Sequence, residues 1–408
     1  MPELSHTARD ASSTRRTLIL LAVLAFASTF STAVVFPNIG SFVRDRFVLS
    51  DTQASLFAVS YLIPHVVFAF VWGALSDRYG KRKVLLVTGY VVTALFHFLL
   101  PFISTYPMLL LVRFGEGAFS VLGFSMVMTI AVDIARKGRY GRVMGVVGAS
   151  VSLGTTLAFP IGGAIGAQSM VLLCTIGAFI LLLCAAAAWL LLEEGKLETV
   201  RSFSAALRVL RRQPALSIPY AFTFVDRFTV GFFAVTFPLY VGAQYNMDAT
   251  ASGMLLAGYL LPFSLLIYPF GRLSDRWGGA RLLLAGSVFY GVVVMLVGYV
   301  PPEWFLAVML LCGIFAASMY APSLWFVAHT APEESRASAM GGFNAAGSLG
   351  FAVGPLAGAL ISDVYGYATA FLAAGITELL CVIVVYPLVA RTLRHLPQQT
   401  LPTATSLQ

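Results

Sequence analysis

Apolar residues in this chain gather into long uninterrupted runs and do not alternate with polar ones. Uncharged stretches recur at 17–43, 52–76, 84–112, 143–192, 249–271, 282–302, 304–332 and 337–362. A helix needs about 20 apolar residues to cross the hydrocarbon core of a bilayer. The run 143–192 is too long for one crossing, and Gly162-Gly163 to Gln168 marks the break between two. The pattern predicts twelve spans, at 17–43, 52–76, 83–103, 106–133, 142–166, 169–192, 214–242, 250–272, 281–300, 304–330, 337–362 and 367–390. It therefore predicts an all-α polytopic membrane protein.

Composition agrees. Charged residues make up 11% of the chain and hydrophobic residues 59%, with a mean hydropathy of +0.86. A soluble domain carries about 25% charged residues. The net charge of +8 raises nucleic acid as a partner, but its placement answers otherwise. Of the 26 Lys and Arg, Arg113 and Arg227 lie inside spans, and Arg44 and Arg46 lie in a loop on one side. All the others fall on the opposite side, with both termini. That bias places both termini in the cytoplasm, the charge being topological. No nucleic-acid partner is expected; the bilayer is one. Cys174, Cys184, Cys312 and Cys381 sit inside apolar runs without CxxC spacing, so they are read as small core residues, with no metal site or cofactor.

The one long polar break, 193–213, divides the chain into a cytoplasmic tail 1–16, a six-helix bundle 17–192, a cytoplasmic linker with a short surface helix at 202–210, a second six-helix bundle 214–390 and a tail 391–408. The halves match. Gly73-Ala-Leu-Ser-Asp77-Arg78-Tyr-Gly80-Lys81-Arg82-Lys83 returns as Gly271-Arg-Leu-Ser-Asp275-Arg276-Trp-Gly278, 198 residues on. Gly145, Gly154, Pro160 and Gly162 in span 5 answer to Gly341, Gly350, Gly354, Pro355 and Gly358 in span 11, the glycines offset by 196. Phe36-Pro37 answers to Phe237-Pro238 at an offset of 201. Parallel six-helix repeats with a substrate site at the midplane are a transporter architecture.

On these motifs, over residues 17–390, the chain resembles the major facilitator superfamily. Gly73–Lys83 is similar to its loop 2–3 signature, and the span 5 and span 11 patterns are similar to a glycine-proline motif associated with its antiporters. Arg113-Phe-Gly-Glu116-Gly117 resembles its span 4 arginine motif, with Glu116 where a glutamine is usual. Pro160 stands one position late, and span 1 lacks the acidic residue of several drug–proton antiporters. The resemblance implies a cytoplasmic gate formed by Gly73, Asp77, Arg78, Gly80, Arg82, Asp133, Asp275 and Arg276. Asp77 would meet the N-terminus of span 11, and Arg78 or Arg82 would reach Asp133. Gly73 and Gly80 allow close helix approach and a tight turn. The small residues of spans 5 and 11 let helices pack closely, with Pro160 and Pro355 as bending points.

Charges at membrane depth are functional candidates by default. Glu116 lies ten residues into span 4, about 15 Å deep at ~1.5 Å per residue. Arg113 shares its face at i, i+3 and can pair with it. Asp226 and Arg227 are adjacent, so each needs a partner elsewhere. Arg113, Glu116, Asp226 and Arg227 are the candidates for proton coupling or substrate binding, and a network among the four across the two halves is one arrangement. The resemblance places the helix of Glu378 at the bundle periphery, where a snorkelling or normally protonated acid is expected. His65 and His97 are read as core histidines. Phe222, Phe224, Phe228, Phe232, Phe233, Phe237 and Tyr240 of span 7, with Tyr320 and Trp325, offer apolar walls, divided between cavity and lipid. Among amides in the spans, Asn344 is the main deep one.

The reading is a secondary transporter working by alternating access, exporting small amphipathic or apolar compounds against protons from a prokaryotic inner membrane as a monomer. The alternative is an uptake symporter or facilitator for a metabolite such as an organic acid. No catalytic constellation of an intramembrane enzyme is present, nor a GxxxxGK[ST] loop for ATP.

Overall fold

The computed structural model describes the backbone of residues 2–134, 140–193, 210, 213–331 and 336–395. Among these it is helical, with helices α1 Pro2–Ala33, α2 Asp51–Tyr79, α3 Arg82–Leu99, α4 Tyr106–Asp133, α5 Tyr140–Gln168 and α6 Met170–Leu191. The second set is α7 Ser217–Tyr245, α8 Ala249–Trp277, α9 Gly279–Leu296, α10 Phe305–Thr330, α11 Arg336–Tyr365 and α12 Tyr367–His395. Twelve segments are long and apolar enough to cross a membrane, each within a few residues of its predicted span. The proposed surface helix at 202–210 lies, but for Leu210, outside the described residues.

Each helix sorts its residues by face. On α6 the buried positions are Leu173, Cys174, Gly177, Ala178, Leu181, Cys184, Ala185 and Ala188, a 3–4 spacing that makes one stripe. The residues between them, Leu172, Phe179, Leu182, Leu183 and Leu190, are exposed. Small residues face the bundle and large ones face outward, as a lipid solvent favours. All four cysteines are buried and unbridged.

Turns fall where backbone chemistry requires them. Gly80 (φ +66°) and Gly278 (φ +84°) hold the same left-handed corner in the two copies of the loop motif. The break in 143–192 falls at the far end of the predicted stretch, at Ser169, whose Oγ accepts from Leu172 N at 3.2 Å and caps α6. Gly162-Gly163 is inside α5 and serves packing instead: a Cβ at Gly162 would lie 2.2 Å from Val34 O. The two Phe-Pro copies also differ. α7 runs through Pro238, whereas α1 gives way at Pro37 to a 3-10 turn, Phe36–Asn38, and a π-helical segment, Ile39–Asp45. Asn38 Nδ2 donates to Val34 O at 3.3 Å and Gly162 O at 2.9 Å, anchoring that break.

The chain forms two compact units. The first holds Met1–Leu49, Leu56–Arg201 and Met247–Met254; the second holds Ser50–Ser55, Ser202–Asn246 and Leu255–Gln408. In the first, α5 packs on α1 and α3 on α4 and α6; in the second, α11 packs on α7 and α9 on α10 and α12. The repeated glycines make the equivalent seams. A Cβ at Gly154 would lie 2.5 Å from Phe26 O, and one at Gly350 2.0 Å from Phe224 O. Gly354 and Gly358 continue the second seam against Phe228 O and Thr236 Oγ1. Gly73, Gly145 and Gly341 depart from the expected packing role, since a Cβ there meets nothing within 4 Å among the described residues. Both α5 and α11 continue through Pro160 and Pro355.

Candidate functional site

The first unit buries an ion cluster. Arg113 and Glu116, one turn apart on α4, are both inaccessible, and Arg113 Nη1 donates to Glu116 Oε2 at 2.6 Å. The other carboxylate oxygen meets His97 Nδ1 of α3 at 2.7 Å. With a proton on Nδ1, His97 donates there, and its Nε2 has no partner. Gly177 makes the room, since a Cβ there would lie 2.6 Å from His97 Nε2. The flat face of Arg113 lies over the rings of Tyr61 (4.3 Å), Phe57 (4.7 Å) and Phe36 (5.6 Å), a desolvated cation–π stack. Arg113 and Glu116 therefore neutralise each other within one unit. His97, read from the sequence as a core histidine, belongs to the cluster. Its distance of 19 residues from Glu116 hid the pairing. His65 is held through Nδ1 by Tyr61 O at 2.9 Å.

The second unit balances its buried charge differently. Asp226 of α7 is buried, and neither carboxyl oxygen has a hydrogen-bond partner. Arg227, the next residue, acts on it only through space, and its guanidinium lies 4.8 Å from the ring centre of Tyr320 on α10. Glu378 of α12 is fully buried, which corrects the snorkelling expectation. It lies among hydroxyls: Thr229 Oγ1 of α7 is 3.1 Å from Oε1, and Ser287 Oγ of α9 donates to Oε2 at 3.0 Å. Gly291 and Gly375 bring α9 and α12 together beside it, a Cβ at Gly375 falling 2.4 Å from Gly291 O. Tyr259 and Tyr290 share a 3.0 Å hydrogen bond in the same interior. A Thr one turn after Asp226 and a Ser in an apolar span were the available signals for Glu378.

The apolar walls expected of span 7 are mostly core. Phe222, Phe232, Phe233, Phe237 and Tyr240 are buried within the second unit, stacked among Tyr259, Phe305 and Phe371. Phe224, Phe228, Tyr320 and Trp325 are half-buried, and Asn344 is exposed.

At the loop motif, Arg82 forms an ion pair with Asp133, so of Arg78 and Arg82 it is Arg82 that is seen to reach that acid. Arg276 is exposed. The side chains of Asp77, Arg78 and Asp275 lie outside the described residues. Among the described residues, no cluster of His, Cys, Asp and Glu is arranged to hold a metal.

The Major Facilitator Superfamily model matches residues 21–225 and 219–406. The chain belongs to that family. It is 25% identical over 369 residues to Sugar efflux transporter A of Dickeya chrysanthemi, covering 86% of this chain and 90% of that protein. It is 25% identical over 396 residues to the Hexuronate transporter of Bacillus subtilis, covering 88% and 90%. A crystal structure of a mutant of the nucleoside transporter NupG superposes with a TM-score of 0.77 at 14% identity, covering 91% of this chain and 99% of that one, which shows the shared fold. The protein is thus an integral membrane transporter of twelve spans and not an enzyme.

Proposed function

We propose that the protein is a proton-coupled exporter of small amphipathic compounds, working by alternating access with both termini in the cytoplasm of a prokaryotic cell. The observation that carries the coupling is Asp226, a buried carboxyl without a hydrogen-bond donor on either oxygen. An ionised carboxylate there has no hydrogen-bond donor to offset its burial, so proton binding and release change the energy of the unit directly. Export follows the relationship to a sugar efflux transporter. For the substrate, the half-buried Arg227 and Tyr320 pair a cation with an aromatic face, and Phe224 and Phe228 of α7 are half-buried too. That set suits a compound with an apolar ring and one polar or anionic group. The Arg82–Asp133 ion pair serves as part of a cytoplasmic gate, with Asp77, Arg78, Asp275 and Arg276.

A second reading is uptake of an organic acid held by Arg227, favoured by the relationship to a hexuronate transporter. Inside-out vesicles with an imposed pH gradient separate the two. With an acid lumen, an exporter concentrates an amphipathic dye inside. Uptake of labelled hexuronate into right-side-out vesicles from an acid exterior, with no dye movement, establishes the second reading.

A further inference from the structure

The hydroxyl of Thr229 has one hydrogen and two acceptors. Its Oγ1 lies 3.0 Å from Val225 O and 3.1 Å from Glu378 Oε1. If it donates to the carbonyl, as threonines in helices do, then the hydrogen on the Glu378 line must come from the carboxyl itself. The remaining oxygen, Oε2, receives the hydroxyl of Ser287 at 3.0 Å. A protonated Glu378 therefore satisfies every contact at once: Oε1–H to Thr229, Thr229 O–H to Val225 O, Ser287 O–H to Oε2. An ionised one does not, because Thr229 must then abandon Val225 O.

The surroundings define the electrostatics. The titratable groups acting on this interior are Asp226 on α7, Tyr259 on α8, Tyr290 on α9, Cys312 on α10 and Cys381 on α12. Arg227 is the cation at this level among the described residues, and it is stacked on Tyr320. Thr229 stands one helical turn from Asp226, so the two carboxyls flank one hydroxyl-bearing turn of α7.

We propose that Glu378 is a proton-binding site of the second unit, paired with Asp226 across the Thr229 turn, and that Thr229 switches its hydroxyl from Val225 O to Glu378 when the proton leaves. The inference rests on the proton-coupled reading for its physiological purpose, but its test does not.

The test is infrared difference spectroscopy of the full-length protein in lipid nanodiscs, between acid and alkaline pH. Wild type should show a protonated-carboxyl C=O band at acid pH that disappears on alkalinisation. In Glu378→Gln the Glu378 component of the band should be missing, and the component that Asp226→Asn removes should remain. The glutamine amide reproduces the contacts of the protonated acid, donating to Thr229 and accepting from Ser287, so the variant remains folded. Thr229→Val should shift the band and retain it. A Glu378 band that persists at every pH, or a spectrum unchanged by Glu378→Gln, overturns the proposal. If wild type drives no dye in the vesicle assay while the band still titrates, the exporter reading falls and the proton site stands.

Discussion

In the first unit Glu116 has a guanidinium on one oxygen and an imidazole on the other. In the second, Asp226 has neither, and Glu378 has only hydroxyls. The scaffolds are equivalent, with the first and fifth helices of each half crossing at repeated glycines, Gly154 on Phe26 and Gly350 on Phe224. The charge bookkeeping is opposite. The buried acid of the first unit is paired with an arginine of its own helix and tied to α3 through His97. A buried acid among hydroxyls changes charge when it exchanges a proton. On the proposed function the duplicated fold divides labour, with an ion cluster in one half and an exchangeable proton in the other.

The largest expected effect breaks the first side of this comparison. Glu116→Ala leaves the Arg113 guanidinium buried and unpaired, and should destabilise the protein by about 3–5 kcal/mol. Thermal unfolding in detergent reads this, and an Arg113→Leu/Glu116→Leu double variant should recover most of the loss. Next, Asp226→Asn should reduce gradient-driven dye transport by about 5–150-fold, the range of typical coupling energies. Dye exchange without a gradient should stay near wild type. Equal loss of both activities would move Asp226 from coupling to architecture. Gly350→Ala should cost about 1–3 kcal/mol through overpacking against Phe224 O, whereas Gly341→Ala should be tolerated in the same unfolding assay. At the loop, Arg82→Ala removes the cation of a largely buried ion pair and should increase thiol labelling at the cytoplasmic end.

Much of the fold was legible because span length and loop charge are properties of local sequence. The twelve crossings follow from apolar run length, and the seams at Gly154 and Gly350 follow from a repeat visible by offset alone. The Arg113–Glu116 pair followed from i, i+3 spacing. What was not legible depends on which face a residue presents to distant helices. Every residue near Phe232 and Phe237 is apolar, so composition does not separate a bundle core from a cavity wall. Gly162-Gly163 looked like a turn because a glycine in close packing and a glycine in a corner are the same letter. His97 is the core histidine that was expected, but its partner Glu116, like the partners Thr229 and Ser287 of Glu378, lies on another helix and was not legible.

The most direct test counts protons. Wild-type protein in nanodiscs is moved from neutral to alkaline buffer, and the protons released are compared with those from Asp226→Asn/Glu378→Gln and from Glu116→Gln. The account predicts that the double variant in the second unit releases fewer protons than wild type, while Glu116→Gln matches wild type. A loss confined to Glu116→Gln would place the exchangeable proton in the first unit and contradict it.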